Sequence, residues 1–124
     1  MEILQSDNSH ANTKTFGEDT AAGDEKCYEI KAVGSKLYAG CLTNSAGWSQ
    51  DATADVMFWK FDQSAFTIDS TMVIGLLAQE DDYGAMDISS DETLLYFSSV
   101  YAPAGADCQV TIGKIDMANE AISW

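Results

Sequence analysis

The chain has 124 residues, 46% of them apolar, enough for one domain with a core of its own. Twenty Asp and Glu face six lysines and no arginine, giving a net charge of −14. Such a surface repels phosphate backbones and anionic lipid faces, which argues against nucleic-acid binding, and no apolar run is long enough to cross a membrane as a helix.

Residues 1–14, MEILQSDNSHANTK, are polar and aperiodic and read as a tail, with a short helical turn in MEILQ. They lack the basic segment and apolar run of a signal peptide. The sole histidine, His10, lies here among Asn and Ser, where a solvated ring is expected; catalysis needs a rigid supporting shell.

From Thr15 the pattern is β. KCYEIKAV (26–33) and KLYAGCL (36–42) are joined by Gly34-Ser35, a two-residue hairpin signal. Pairing Val33 with Lys36 sets Tyr28 opposite Cys41 and Cys27 opposite Leu42. A Cys27–Cys41 bond would then need a slip of register, so both are expected as buried thiols. Cys108 makes the count odd, and no CxxC or histidine-bearing metal spacing accompanies it.

NSAGWSQDATAD (44–55) reads as loop, and DVMFWKFD (55–62) as a strand. Met57, Trp59 and Phe61 line one face of that strand and Val56 and Phe58 the other, so it should be covered on both sides. After a turn at QSAF, TMVIGLLA (71–78) reads as another strand buried on both faces. QEDDYG (79–84) is an acidic turn, and GAMDISS (84–90) and TLLYFSSVY (93–101) form a hairpin around Asp91-Glu92. A loop holding the single proline, the strand QVTIGKID (109–116) and a closing NEAISW complete the chain.

Internal similarity organises these strands. Laying Gly17 on Gly75 carries without gaps to Tyr38 on Tyr96, matching Asp24 with Asp82, Glu29 with Asp87 and Ile30 with Ile88. Beyond the variable loop a slightly shorter spacing matches Val56 with Val110, Lys60-Phe61-Asp62 with Lys114-Ile115-Asp116, and Ile68 with Ile122. The length change sits in a loop, where it costs little. Repeated units of four short strands are the mark of propeller blades, whose period is roughly 40–50 residues. The expected fold is therefore all-β, with two four-stranded antiparallel blade-like units at about 15–70 and 71–124. A sandwich or an open meander is the alternative; a sandwich predicts one wet face, which the two doubly apolar runs contradict.

DISSDETLLYFSS followed by KID resembles the seven- and eight-bladed propeller repeats of bacterial and protist proteins, in which a Ser-Asp turn, an LY strand and a Lys-aliphatic-Asp strand follow one another. The tail from Asp116 through Asn119 to Trp124 is similar in spacing to the tryptophan-docking motif of quinoprotein-type propellers, where the indole stacks on the neighbouring blade. Asn119-Glu120 stands where that family has a glycine-containing turn, and Ser70 holds the Trp position in the first copy. The resemblance covers residues 17 to 124. It implies a propeller-like fold and carries over no catalytic or cofactor-binding residue.

The chemistry-bearing residues point the same way. A Ser or Cys nucleophile needs a histidine base, and the only one is in the tail. Neither standard phosphate-loop spacing occurs, and a quinone enzyme would need basic groups around the cofactor's carboxylates. Glu80-Asp81-Asp82 and the pair Asp51 and Asp55 offer oxygens to a hard cation, but without a Ca²⁺-loop pattern they read as solvated acidic turns. No catalytic, cofactor or metal residue is assigned. The candidate partner contacts are two loop aromatics, Trp48 and Tyr101. The expected function is a non-catalytic interaction scaffold completed by self-assembly or by further blades of the same chain, since two blades leave strand edges open. A fragment of a quinoprotein-like enzyme, recognisable by cofactor absorbance, and a secreted or surface adhesion module, recognisable by Ca²⁺-dependent stability, are the alternatives.

Overall fold

The structure, a computed structural model, describes residues 2–3, 10–12, 24–45, 54–75, 80–102 and 107–123. All regular structure among them is β-strand. Near the N-terminus β1 (Glu2–Ile3) pairs antiparallel with β2 (His10–Asn12), setting Ile3 opposite His10. The helical turn expected in MEILQ is thus replaced by a strand pairing at Glu2 and Ile3.

Eight further strands form two four-stranded antiparallel meanders. The first sheet holds β3 (Glu25–Val33), β4 (Lys36–Thr43), β5 (Asp55–Asp62) and β6 (Thr67–Ile74), in that order. The second holds β7 (Glu80–Ile88), β8 (Leu94–Ala102), β9 (Gln109–Asp116) and β10 (Ala121–Ser123), again in chain order. The sheets therefore divide between Ile74 and Glu80 rather than at residue 70. Residues 71–74, read from sequence as opening the second unit, close the first.

Gly34 takes φ 56°, the left-handed conformation a two-residue hairpin turn requires and a glycine tolerates. From it Val33 pairs with Lys36, as expected, down to Glu29 with Gly40. There β3 bulges: Tyr28 is an extra residue, and the register slips by one so that Cys27 pairs with Cys41. The two form a disulfide across the pair, with Cα atoms 3.9 Å apart. This corrects the buried-thiol expectation, which assumed an unbroken ladder. Cys41 is buried, Cys27 is exposed, and Cys108 is a free, exposed thiol.

The central strands of the two sheets share their pairings. Tyr38 faces Lys60 and Leu37 faces Phe61; Tyr96 faces Lys114 and Leu95 faces Ile115. Phe61 faces Ile68 and Ile115 faces Ile122. The bulges also agree: Gly84 is the extra residue on β7, between Tyr83 opposite Ser99 and Ala85 opposite Ser98.

The turns agree as well. Asp62 Oδ1 accepts from the Ser64 and Ala65 N–H groups at 2.9 and 2.8 Å, and Asp116 Oδ1 accepts from Ala118 N–H at 2.9 Å. Each turn ends on a residue of positive φ, Phe66 at 54° and Glu120 at 56°. For a residue with a Cβ that conformation costs roughly 1–2 kcal/mol. Glu120 is exposed, so Glu120→Gly is expected to stabilise the chain by about 0.5–1 kcal/mol. A urea midpoint at or below that of the parent chain would contradict this.

Asp62 also meets Lys36 Nζ at 3.0 Å, and Lys36 reaches Asp69 at 2.7 Å. The Ala65 N–H first, then Ser64 and Lys36, hold the Asp62 carboxyl well below the usual carboxylate range. Its contribution is therefore complete above its unfolded value near pH 4 and is lost as pH falls through the lower folded value. Asp62→Asn keeps the turn acceptor but loses the charge. The stability gap between parent and variant should thus be widest near neutrality and narrow below about pH 4. Urea titrations at several pH values measure it, and a constant gap would refute the assignment.

The two sheets pack face to face. Tyr38, Val56, Phe58, Met72 and Ile74 from the first meet Met86, Ile88, Leu95, Phe97 and Ile115 from the second, all under 9% exposed. The edge strand β7 lies across β3, β4 and β5. The opposite face of the first sheet is buried too, through Ala39, Cys41, Met57, Trp59 and Phe61. The expectation that β5 is covered on both sides therefore holds.

Candidate interaction surface

Of the residues singled out from sequence, Gly17, Trp48, Asp51 and Trp124 lie outside the described residues. Tyr101 is not in a loop: it is half-buried near the end of β8, between Asp81 and Gln109. The acidic segment from Glu80 is likewise no turn but the start of β7. Asp81 is buried there and its N–H donates to the Ala54 carbonyl at 2.8 Å. Asp55 is buried beside Gly75, where a Cβ would collide with its carboxylate. Among the described residues no three His, Cys, Asp or Glu side chains cluster as metal ligands.

The junction between the sheets carries a polar network that sequence reasoning missed. The Tyr83 ring lies against Gly40, where a Cβ would fill its place, and its hydroxyl donates to Glu29 at 2.8 Å. Glu29 also accepts from the Met86 N–H at 3.1 Å. Burial opposes the Glu29 charge, but Tyr83, Met86 and Lys31 together hold its carboxyl below the ordinary value. Lys31 reaches Asp87 at 2.8 Å, lowering the Asp87 carboxyl in turn. Tyr38 donates to Glu92 at 3.3 Å, and burial, reinforced by the Glu92 charge, pushes its phenol up to about 12. Tyr28, bulged out of β3, stacks on Tyr83 with centroids 5.4 Å apart.

The other face of the second sheet is open. Tyr96, Val110 and Ile112 stand on it 46%, 71% and 74% exposed, beside Lys114. The pairings Tyr96–Lys114, Ser98–Ile112 and Val100–Val110 put all of these on one side of β8 and β9. A shallow pocket of about 230 Å³ lies there between Tyr96, Ile112, Gly113, Lys114 and Ser123. Asp87 on β7 and Asp116 on β9 flank the face, opposite Tyr96 and Leu94 of β8. Contiguous exposed apolar side chains with a charged rim mark interaction surfaces. The alternation Val110, Ile112, Lys114 in QVTIGKID was the available signal, but it could not tell an open face from a covered one.

The chain matches no protein-family model, no curated protein and no solved structure.

Proposed function

We propose that this chain is a non-catalytic, propeller-type interaction module, built of four-stranded sheets stacked face to face, whose recognition resides in its loops and its open sheet face. One observation carries this reading. Tyr38, Val56, Phe58 and Lys60 share the face of the first sheet that the second sheet covers. The residues in the same registers of the second sheet are Tyr96, Val110, Ile112 and Lys114, and they share the face that points away. Propeller blades stack head to tail, so each blade presents onward the face that its predecessor presented to it. The matching bulges and Asp-anchored turns support two copies of one unit.

The reading predicts that the open face takes up an apolar probe while the chain is fully folded. Nile red at low micromolar protein should show blue-shifted emission that Ile112→Lys removes. Ile30→Lys, an equally charged change on the opposite face, should leave it intact. Absent dye binding, or dye binding untouched by Ile112→Lys, would refute it.

A second reading, a secreted or surface module, is favoured by the Cys27–Cys41 disulfide, because such bonds persist in oxidising compartments. Alkylation of the protein directly in its source cells tests this: blocked thiols at both positions would count against it.

A further inference from the structure

We propose that the open face of β8 and β9 is a self-association surface, through which two copies of this chain pack their second sheets against each other about a two-fold axis. The proposal rests on the stacked-sheet reading above and goes further by naming the occupant.

The chemistry of the face indicates that the occupant is a sheet. In the first sheet the corresponding residues are fully sequestered: Tyr38, Val56 and Phe58 are at most 1% exposed beneath β7 and β8. Tyr96, Val110 and Ile112 repeat that surface in the same registers of the second sheet, with nothing above them among the described residues. The face is ready to take a pleated surface of similar shape.

Symmetry follows from what a second copy has to offer. A head-to-tail stack would need the far face of the first sheet to be free, but Cys41, Met57, Trp59 and Phe61 there are already buried. On that far face Ile30, at the β3 edge, stands exposed, whereas Tyr96, Val110 and Ile112 form a contiguous open apolar face on β8 and β9. A patch that meets its own copy makes an isologous contact, which closes at a dimer. The rim suits that arrangement: Lys114 of one copy would approach the Asp87 or Asp116 edge of the other. The Lys31–Asp87 pair, 2.8 Å across the existing junction, shows that a lysine and a carboxylate can bridge two of these sheets.

Size and charge set the strength. Even with β7 counted beside them, β8 and β9, strands of eight or nine residues, cover roughly 400 Å² of plane at the usual spacings, well below the ~800 Å² per partner of a standard interface. Two chains of net charge −14 also repel. The dimer should therefore be weak, concentration-dependent and strengthened by salt, which screens the repulsion while leaving the apolar contact in place.

Sedimentation equilibrium tests this, from low micromolar to several hundred micromolar chain, with Cys108 alkylated to prevent intermolecular disulfides. The expected result is a rise from the monomer mass toward twice that mass, at lower concentration in high salt. Ile112→Lys should abolish the rise and Ile30→Lys should preserve it. Val110→Thr, a strand-compatible change that adds no charge, should weaken the association about tenfold if Ile112→Lys perturbs the fold. A monomer at every concentration, a species that grows past the dimer, or equal loss in Ile112→Lys and Ile30→Lys would overturn the proposal. If Nile red binds the face while the chain stays monomeric, the stacked-sheet reading survives and only the second copy is excluded.

Discussion

Replacing Phe58 with alanine is expected to lower stability by about 3–5 kcal/mol, the usual cost of emptying a large aromatic site in a core. Phe58 is fully buried between the sheets, paired with Met72 on β6 and packed 5.6 Å from the Phe97 ring and 6.3 Å from Tyr83. Those rings come from the other sheet, so the cavity would open at the junction and loosen one sheet from the other. A domain of this size has a total stability of about 5–15 kcal/mol, so the variant should melt roughly 10–20 °C lower. Ile112→Ala is the matched control, since Ile112 holds the same register in the second sheet. At 74% exposed it should change stability by less than about 0.5 kcal/mol when the chain is dilute. Urea unfolding of both variants decides the matter. Comparable losses at the two positions would contradict the covered-face and open-face assignment.

Alternation and turn chemistry made the β class legible, because each signal depends on residues adjacent in sequence. Gly34-Ser35 placed the first hairpin and its pairing of Val33 with Lys36, and the doubly apolar run of β5 foretold a strand covered on both sides. The errors fell where a distant contact outweighs a local preference. QEDDYG reads as a turn by composition, yet Asp81 is drawn into β7 by its bond to Ala54 and by burial against the first sheet. β6 begins at Thr67 because Asp62 closes a tight turn that Phe66 completes at positive φ, so the strand starts and stops earlier than its apolar residues alone suggest. The open face was the least legible feature. Val110 and Ile112 align with Val56 and Phe58, and the pattern is the same whether or not a further sheet lies above it.

Breaking the Cys27–Cys41 bond should have the second large effect. The bond closes 14 residues of chain, and the entropy model assigns a loop of that length about 3 kcal/mol. It also holds a register that the hairpin turn alone does not specify. Counted from Val33 and Lys36 without a bulge, Tyr28 would face Cys41; with the bond in place, Tyr28 is expelled from the ladder and stacks on Tyr83 of the second sheet. Reduction should therefore do two things: lower the urea midpoint by an amount equivalent to about 2–3 kcal/mol, and let residues 25–28 exchange their amide hydrogens faster as the bulge competes with the unbulged ladder. Cys27→Ser/Cys41→Ser should reproduce both changes and then be insensitive to reductant. Under denaturing conditions the parent chain should titrate one thiol before reduction and three after. If three thiols appear after reduction while the midpoint and the exchange of residues 25–28 stay put, the bulge is held by the Tyr28–Tyr83 stack alone. The cross-link would then be an addition to a register already settled by the contact between the sheets.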